Sequence, residues 1–302
     1  MSRINLTETK IKLLSFAKIN LYLRVIGKRP DGYHEIETLF QQVDLNDKII
    51  LEKCNKGIKI ICKNPYVPDD ENNLCYKAAK SLEEAAGKTF GCKIYIHKKI
   101  PIAAGLGGGS SNAAVTLLGL NYLWNLNFDK KNLLNIANAI GSDVPFFIEG
   151  GSATGRGRGE ILTPVNLDQN YWCAIASFPI KISSRWAYQI SNFNLTNTKK
   201  STTLLSFKKT VTPLKYWNDN FKNDLEKVVF NHYHLLKQTR DQLEEMGAFF
   251  ARMSGSGSCI FGLFENFDKA QRAQELLKHK IKVNIVKPIH WGFENLNKEI
   301  NN

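Results

Sequence analysis

No apolar run in this 302-residue chain approaches the ~18 residues that a membrane-crossing helix needs. The longest candidate, 113–124, is interrupted by Thr116, Gly119 and Asn121. Residues 1–10 hold no apolar signal segment, which argues against secretion. Cysteine is sparse. The six are Cys54, Cys62, Cys75, Cys92, Cys173 and Cys259, the closest pair is eight apart, and there is no C-x-x-C. That spacing excludes a zinc knuckle or a thioredoxin-like motif and predicts reduced, packed thiols. Acidic residues are also short, 28 against 41 Lys plus Arg, giving a formal charge of +13. The excess has three readings: a nucleic acid, a small phosphorylated substrate drawn to a basic cleft, or a solvated surface. The lysines are scattered, with no single basic block.

What is present fits a folded α+β protein of about two domains, divided softly near residue 163 into 1–162 and 163–302. Alternating apolar positions at Phe16, Ile19, Leu21, Leu23 and Val25 predict a strand over 11–27. A turn at Arg29-Pro30-Asp31-Gly32 follows it. Further strands are expected at 37–44, 48–53, 58–62, 92–99, 172–178, 258–264 and 282–287. Helices are expected at 72–86 (capped by Asn72 or Asn73 and stopped by Gly87), from the glycine-rich stretch to about Trp124, and at 129–140, 222–246 and 267–279. The glycine-rich 150–159 reads as a hairpin turn, 191–212 as a polar connection, and the tail from Glu294 as loose. No internal repeat is visible.

The strongest chemical signal is Pro101-Ile102-Ala103-Ala104-Gly105-Leu106-Gly107-Gly108-Gly109-Ser110-Ser111 running into a helix. Glycines let backbone approach a ligand, and the free N–H groups of a helix start favour an anion. Ser110 and Ser111 add hydroxyls for phosphate or a phosphate-bound metal. No Gly-Lys-Ser/Thr follows, so this is no Walker A loop, and the Gly105-x-Gly107-x-x-Ser110 spacing is not the dinucleotide fingerprint. No Gly-x-Ser-x-Gly elbow points to a hydrolase. His232 and His234, two apart on a predicted helix, share no face and make a poor metal pair.

Pro-x-x-x-Gly-Leu-Gly followed by Ser-Ser resembles the phosphate loop of the GHMP kinases. Further segments extend the likeness: Ser15-Phe-Ala-Lys18-Ile-Asn20-Leu, Pro30-Asp-Gly-Tyr33-His34, Thr38-Leu-Phe-Gln, Gly108-Gly-Ser-Ser-Asn112, Gly141-Ser-Asp143-Val-Pro145-Phe-Phe, and Met253-Ser-Gly255-Ser256-Gly257-Ser. They run in order from about residue 12 to about 290. Together they are similar to the branch whose acceptor is the 2-hydroxyl of a methylerythritol carried on cytidine diphosphate, in the non-mevalonate isoprenoid pathway. The resemblance implies a two-domain GHMP fold, ATP, and Mg²⁺ arriving with the nucleotide without a protein metal site of its own. The absence of a transit peptide points to bacterial cytoplasm, and the expected form is a monomer or a weak homodimer with no nucleic-acid or membrane partner.

The resemblance implies roles for residues as well. Asp143 would orient and deprotonate the acceptor, and Lys18 would keep Asp143 ionised or stabilise the transferring group. Asn20, two residues along the same strand face, would hydrogen-bond Asp143 or substrate. Tyr33 and His34 would form the cytidine pocket, with Tyr188 on the other side of the base and Ser184 nearby. Asn73, Leu74 and Lys98 would line the nucleotide pocket, Lys98 reaching phosphate or the adenine side. The donor-rich turn of Gly255, Ser256 and Gly257 would sit near the transferred phosphate or the substrate diphosphate. Two rivals remain at this point: another GHMP kinase acting on mevalonate, homoserine or a sugar, and a basic nucleic-acid-binding protein.

Overall fold

The structure, a computed structural model, describes residues 9–167, 169–191, 221–290 and the backbone of 293–295. The first strand, β1 (Lys10–Lys28), pairs antiparallel with β2 (His34–Lys53) around the Arg29–Gly32 turn. The two apolar runs expected as separate strands at 37–44 and 48–53 are thus one strand. The polar Asn46 and Asp47 between them do not break it, because register shifts near Phe16, Asn20 and Val25 let the pair bend without ending.

β3 (Gly57–Cys62) and β4 (Gly91–His97) pair parallel and extend the sheet. The hairpin β5 (Ser152–Arg156) and β6 (Ile161–Pro164) joins it through β2, and β11 (Phe293–Asn295) adds to the free edge of β1. The backbone order is β11-β1-β2-β4-β3. Three helices build a layer on this sheet: α1 (Leu74–Ala86), α2 (Gly108–Leu123) and α3 (Lys130–Ile140). A fourth, α4 (Val144–Glu149), was not expected from the sequence; Pro145 opens it at a position where a missing N–H costs nothing.

A second sheet has the order β10-β7-β9-β8, from β7 (Trp172–Ser177), β8 (Phe250–Met253), β9 (Ile260–Phe264) and β10 (Lys282–Val286). It carries α5 (Ser184–Ile190), α6 (Glu226–His232), α7 (His234–Glu245) and α8 (Phe267–Leu277). The single helix expected over 222–246 is two helices broken at Tyr233, whose backbone (φ −127°, ψ 73°) leaves the helical region. The polar connection expected at 191–212 lies, beyond residue 191, outside the described residues. Among the described residues no helix is long and apolar enough to cross a membrane.

β1 runs through all three cores. Ile11 and Leu13 pack under the helices of the first sheet. Ala17, Ile19 and Leu21 pack against residues of the second sheet such as Phe250 and Phe261. Leu23 and Val25 join the core around α6 and α7. Both faces of its middle are therefore covered, and residues 15–23 are all buried. The buried polar exceptions on this stretch are Ser15, Lys18 and Asn20. Groups of this kind are costly inside a protein unless partnered, so their partners locate the site.

Candidate active site

A cleft of about 960 Å³ opens between the two sheets, near the upper end of small-molecule sites. Every residue given a site role from the sequence lies on its walls except Ser111. Ser111 is fully buried and shares a hydrogen bond of 2.7 Å with the Ser15 hydroxyl. One residue along a helix is a rotation of about 100°, so neighbouring serines at a helix start cannot face the same ligand. Ser110 takes the cleft side.

The loop holds its shape through the rest of the protein. Gly105 and Gly107 have φ of +77° and +66°, the left-handed region. A methyl at Gly105 would stand 1.9 Å from the Ser254 carbonyl oxygen, and one at Gly107 would stand 2.7 Å from the Phe147 ring. These glycines serve close packing of the loop against its own protein as much as approach by a ligand. Gly107 is also the N-cap of α2, with no side-chain cap bond. The first turn of this 16-residue helix, Gly108 to Ser110, lines the cleft with no side-chain cap and no acidic residue of its own.

Lys18 and Asp143 come together across the cleft floor, with Nζ 3.5 Å from Oδ2. The Asp143 carboxylate makes no capping bond to the helix it precedes, so it is available to Lys18 and to a ligand. Lys18 is held by its own strand neighbour. Its Nζ donates to Asn20 Oδ1 at 2.5 Å and stands 5.2 Å from the centre of the Phe40 ring. Asn20 in turn donates from Nδ2 to Thr38 Oγ1 at 2.8 Å. Its amide bonds Lys18 and Thr38, so of the two expected partners, Asp143 or substrate, Asp143 is reached only through Lys18. The backbone N–H of Asn20 donates to Ser254 Oγ (3.2 Å), and that hydroxyl donates to the Gly105 carbonyl (2.8 Å). The second turn thereby touches both β1 and the glycine loop.

Two expected nucleotide contacts have other work. Lys98 pairs with the fully buried Asp47, and its ammonium also donates to Asn112 Oδ1 at 3.2 Å. Asp47 accepts the backbone N–H groups of Lys99 (2.7 Å) and Ile100 (2.9 Å), so this knot fixes the approach to the glycine loop. Asn112 completes it, donating to Asp47 and to Ser15, each at 2.9 Å. The sequence signal for Asp47 was the polar gap inside a run of strand residues, which also reads as a loop. Asn73 is the N-cap of α1: its Oδ1 accepts from the Cys75 N–H (2.8 Å) and its Nδ2 donates to the Pro68 carbonyl (2.6 Å). Its side chain thus shapes the cleft wall while bound to the protein.

At the other end of the cleft the His34 and Tyr188 rings stack on each other, centroids 5.0 Å apart and 18° from parallel. A base does not fit between rings at that separation, so Tyr188 does not face His34 across an open base slot. The two form one composite wall. Tyr33 is more than half exposed, with the Arg158 guanidinium 5.1 Å from its ring centre. Arg158, taken from the sequence as part of a plain hairpin, therefore belongs to the cleft. Burial, with Lys28 adding to it, pushes the His34 imidazole below its ordinary pKa, which favours the neutral ring. Burial, with the charges of Asp143 and Asp224, pushes the Tyr188 phenol up, so its hydroxyl stays protonated. Ser184, at the start of α5, shares a 2.8 Å hydrogen bond with Ser256 of the second turn.

With this geometry in place, comparison with known proteins is informative. The description "GHMP kinases N terminal domain" matches residues 73–151 and "GHMP kinases C terminal" matches residues 213–282. A 4-diphosphocytidyl-2-C-methyl-D-erythritol kinase of Alkaliphilus metalliredigens (strain QYMF) is 39% identical over 269 residues, covering 89% of this chain and 92% of that protein. The chain belongs to the 4-diphosphocytidyl-2-C-methyl-D-erythritol kinase family. A second member, from Prosthecochloris aestuarii (strain DSM 271 / SK 413), is 41% identical over 271 residues, covering 88% of this chain and 93% of that protein. A solved structure of 4-(cytidine 5'-diphospho)-2C-methyl-D-erythritol kinase superposes with a TM-score of 0.76 at 34% identity, covering 92% of this chain and 99% of the other. A homoserine kinase from Cytophaga hutchinsonii shares the fold alone, at a TM-score of 0.72 and 18% identity. As a GHMP kinase the chain uses ATP, and the nucleic-acid-binding rival is not favoured.

Proposed function

We propose that this chain transfers the terminal phosphoryl group of ATP to the 2-hydroxyl of 4-diphosphocytidyl-2-C-methyl-D-erythritol. The observation that carries the reading is the Lys18–Asp143 pair, lying between the uncapped start of α2 on one side and the Tyr33, His34 and Tyr188 wall on the other. Phosphoryl transfer demands a held triphosphate, neutralised charge and an oriented acceptor, with little covalent chemistry for the protein.

In this reading the triphosphate lies over residues 105–110, with its oxygens facing the first-turn N–H groups of α2. Asp143 accepts the proton of the acceptor hydroxyl. Lys18 stands beside it, favours the carboxylate form and offsets charge as the phosphoryl group moves. Asn20 fixes Lys18. The cytosine packs against the aromatic wall, where Tyr33 is free to cover it. Residues 1–162 then supply the nucleotide site and Lys18, while residues 163–302 supply Ser184, Tyr188 and the second turn. One chain furnishes both walls, so a monomer suffices.

Mg²⁺ fits this cleft as a companion of the nucleotide. Among the described residues no group of three or more His, Cys, Asp or Glu side chains could hold a metal ion. The oxygens on hand are the Ser110 hydroxyl and the Asp143 carboxylate, a set that suits an ion mostly ligated by phosphate and water. Bound there, it would neutralise phosphate charge.

The deciding assay follows ATP consumption with the CDP-linked alcohol against mevalonate, homoserine and a sugar, and locates the new phosphate by ³¹P NMR. Phosphate on the 2-position of the cytidine-linked substrate supports the reading. Faster turnover of mevalonate would overturn it.

A further inference from the structure

Residues 221–226, Phe-Lys-Asn-Asp-Leu-Glu, form no part of the cleft wall, yet they tie its two halves together. On one side they bond to β1. The Leu23 N–H donates to the Lys222 carbonyl (3.0 Å), the Asp224 N–H to the Leu23 carbonyl (2.9 Å), and the Val25 N–H to Asp224 Oδ2 (2.9 Å). On the other side they bond to the end of β8 and the second turn. The buried Asn223 amide donates to two carbonyls, Met253 at 2.9 Å and Gly255 at 2.7 Å, while Glu226 Oε1 accepts the Met253 N–H at 2.7 Å. Asn223 Oδ1 accepts the Leu225 N–H at 3.0 Å. All the hydrogen-bonding atoms of this amide are engaged, with one bond to the last residue of β8 and one to the turn that follows it.

The turn passes this restraint directly to the reacting groups. Ser254 lies between the two carbonyls that Asn223 holds, and its hydroxyl bridges the Asn20 N–H and the Gly105 carbonyl. A methyl added to Gly255 would stand 3.2 Å from Asn20 Oδ1, the atom that accepts from Lys18 Nζ. The turn is thus coupled to Asn20 through the Ser254 hydroxyl, and through Asn20 to Lys18. We propose that Asn223 is a positioning residue for phosphoryl transfer, clamping the Ser254–Gly257 turn so that Asn20 keeps Lys18 beside Asp143. The role rests on the reaction assigned above.

An aspartate at this position fits the space and still accepts from Leu225, but its carboxylate opposes the carbonyls of Met253 and Gly255. In the full chain, with the CDP-linked alcohol as substrate, Asn223→Asp is expected to lower kcat per folded molecule by about 100-fold, the scale of a 1 Å misplacement. KM for ATP should stay within about twofold of the unaltered chain. Asn223→Ser, which keeps one donor, should fall between them. Thr239→Val removes a bond made by another buried side chain, from Thr239 Oγ1 to the Leu235 carbonyl, away from the cleft. It should lower the melting temperature with kcat unchanged. In an Asn20→Ala background Asn223→Asp should cost far less than it does alone, because the path through Asn20 is already cut.

Unchanged kcat in Asn223→Asp, full additivity with Asn20→Ala, or failure of every Asn223 variant to fold would each overturn a positioning role. No turnover by the unaltered chain would overturn the reaction assignment and this role with it. Normal turnover with an indifferent Asn223 overturns this role alone.

Discussion

Asp143 and Lys18 meet at 3.5 Å with unequal exposure, 31% of the Asp143 side chain against 5% of that of Lys18. The ammonium is the fixed partner, bonded to Asn20 within its own strand, and the carboxylate is the more exposed of the two on the cleft wall. That asymmetry suits a carboxylate that takes a proton from a ligand and a cation that stays behind.

Asp143→Asn is therefore expected to fold and to bind ATP while losing transfer by about 100- to 10,000-fold, the range of general-base removal. Equilibrium binding of a fluorescent ATP analogue and single-turnover rates separate the two effects. Near-normal turnover would remove Asp143 from the mechanism.

The glycine loop should answer position by position. Gly105→Ala places a methyl against the Ser254 backbone at a left-handed φ, and is expected to cost several kcal/mol of stability. A methyl at Gly109 meets only Leu74 Cδ1 at 3.6 Å. Gly109→Ala should melt at or above the parent temperature, since Ala lies up to about 1 kcal/mol better in a helix. The same methyl intrudes where phosphate is expected, so KM for ATP should rise, roughly tenfold for each 1.4 kcal/mol of lost binding. Calorimetry and steady-state kinetics on the two variants check this contrast.

The Lys98–Asp47 pair predicts a stability effect. Asp47 is fully buried and accepts four donors, so Asp47→Ala leaves the Lys98 ammonium buried without its anion. Breaking one partner of such a pair costs about 3–5 kcal/mol, whereas replacing both costs less. Urea unfolding of Asp47→Ala and of the double variant Asp47→Ala/Lys98→Met should show the double variant as the more stable.

Glu226 supplies a pH test. Burial pushes its carboxyl from the usual 4.5 up to about 7, against the opposing pull of the Met253 N–H, Arg252 and Arg240; the Glu244 charge raises it further. Between those values the folded chain holds a proton that the unfolded chain has released, so stability falls as pH rises through this window. Above about 7 the full cost of burying the charge is present. Glu226→Gln should flatten the decline in melting temperature between about pH 5 and pH 8. An unchanged slope would assign it to other groups.

Some of this was legible in the linear chain. Alternating apolar residues marked β1, glycine and serine before an apolar run marked the start of α2, and the motif around each residue nominated Lys18 and Asp143. These are local signals: periodicity, turn chemistry and helix caps are decided by neighbours a few residues away. The break of the expected 222–246 helix at Tyr233 and the short helices α4 and α5 escaped because their local signals are weak and packing decides them.

The sequence by itself determined which residue types are offered to a ligand and roughly on which element each sits. Only the tertiary structure decided which of them have hydrogen-bonding capacity left to offer. Ser111 is taken up by Ser15, 96 positions away, Lys98 by Asp47, 51 away, and Asn20 by Lys18 and Thr38, while His34 stacks on Tyr188. The reason is that a buried polar group must find a partner, and the partner is fixed by how the sheets pack, which no local pattern records.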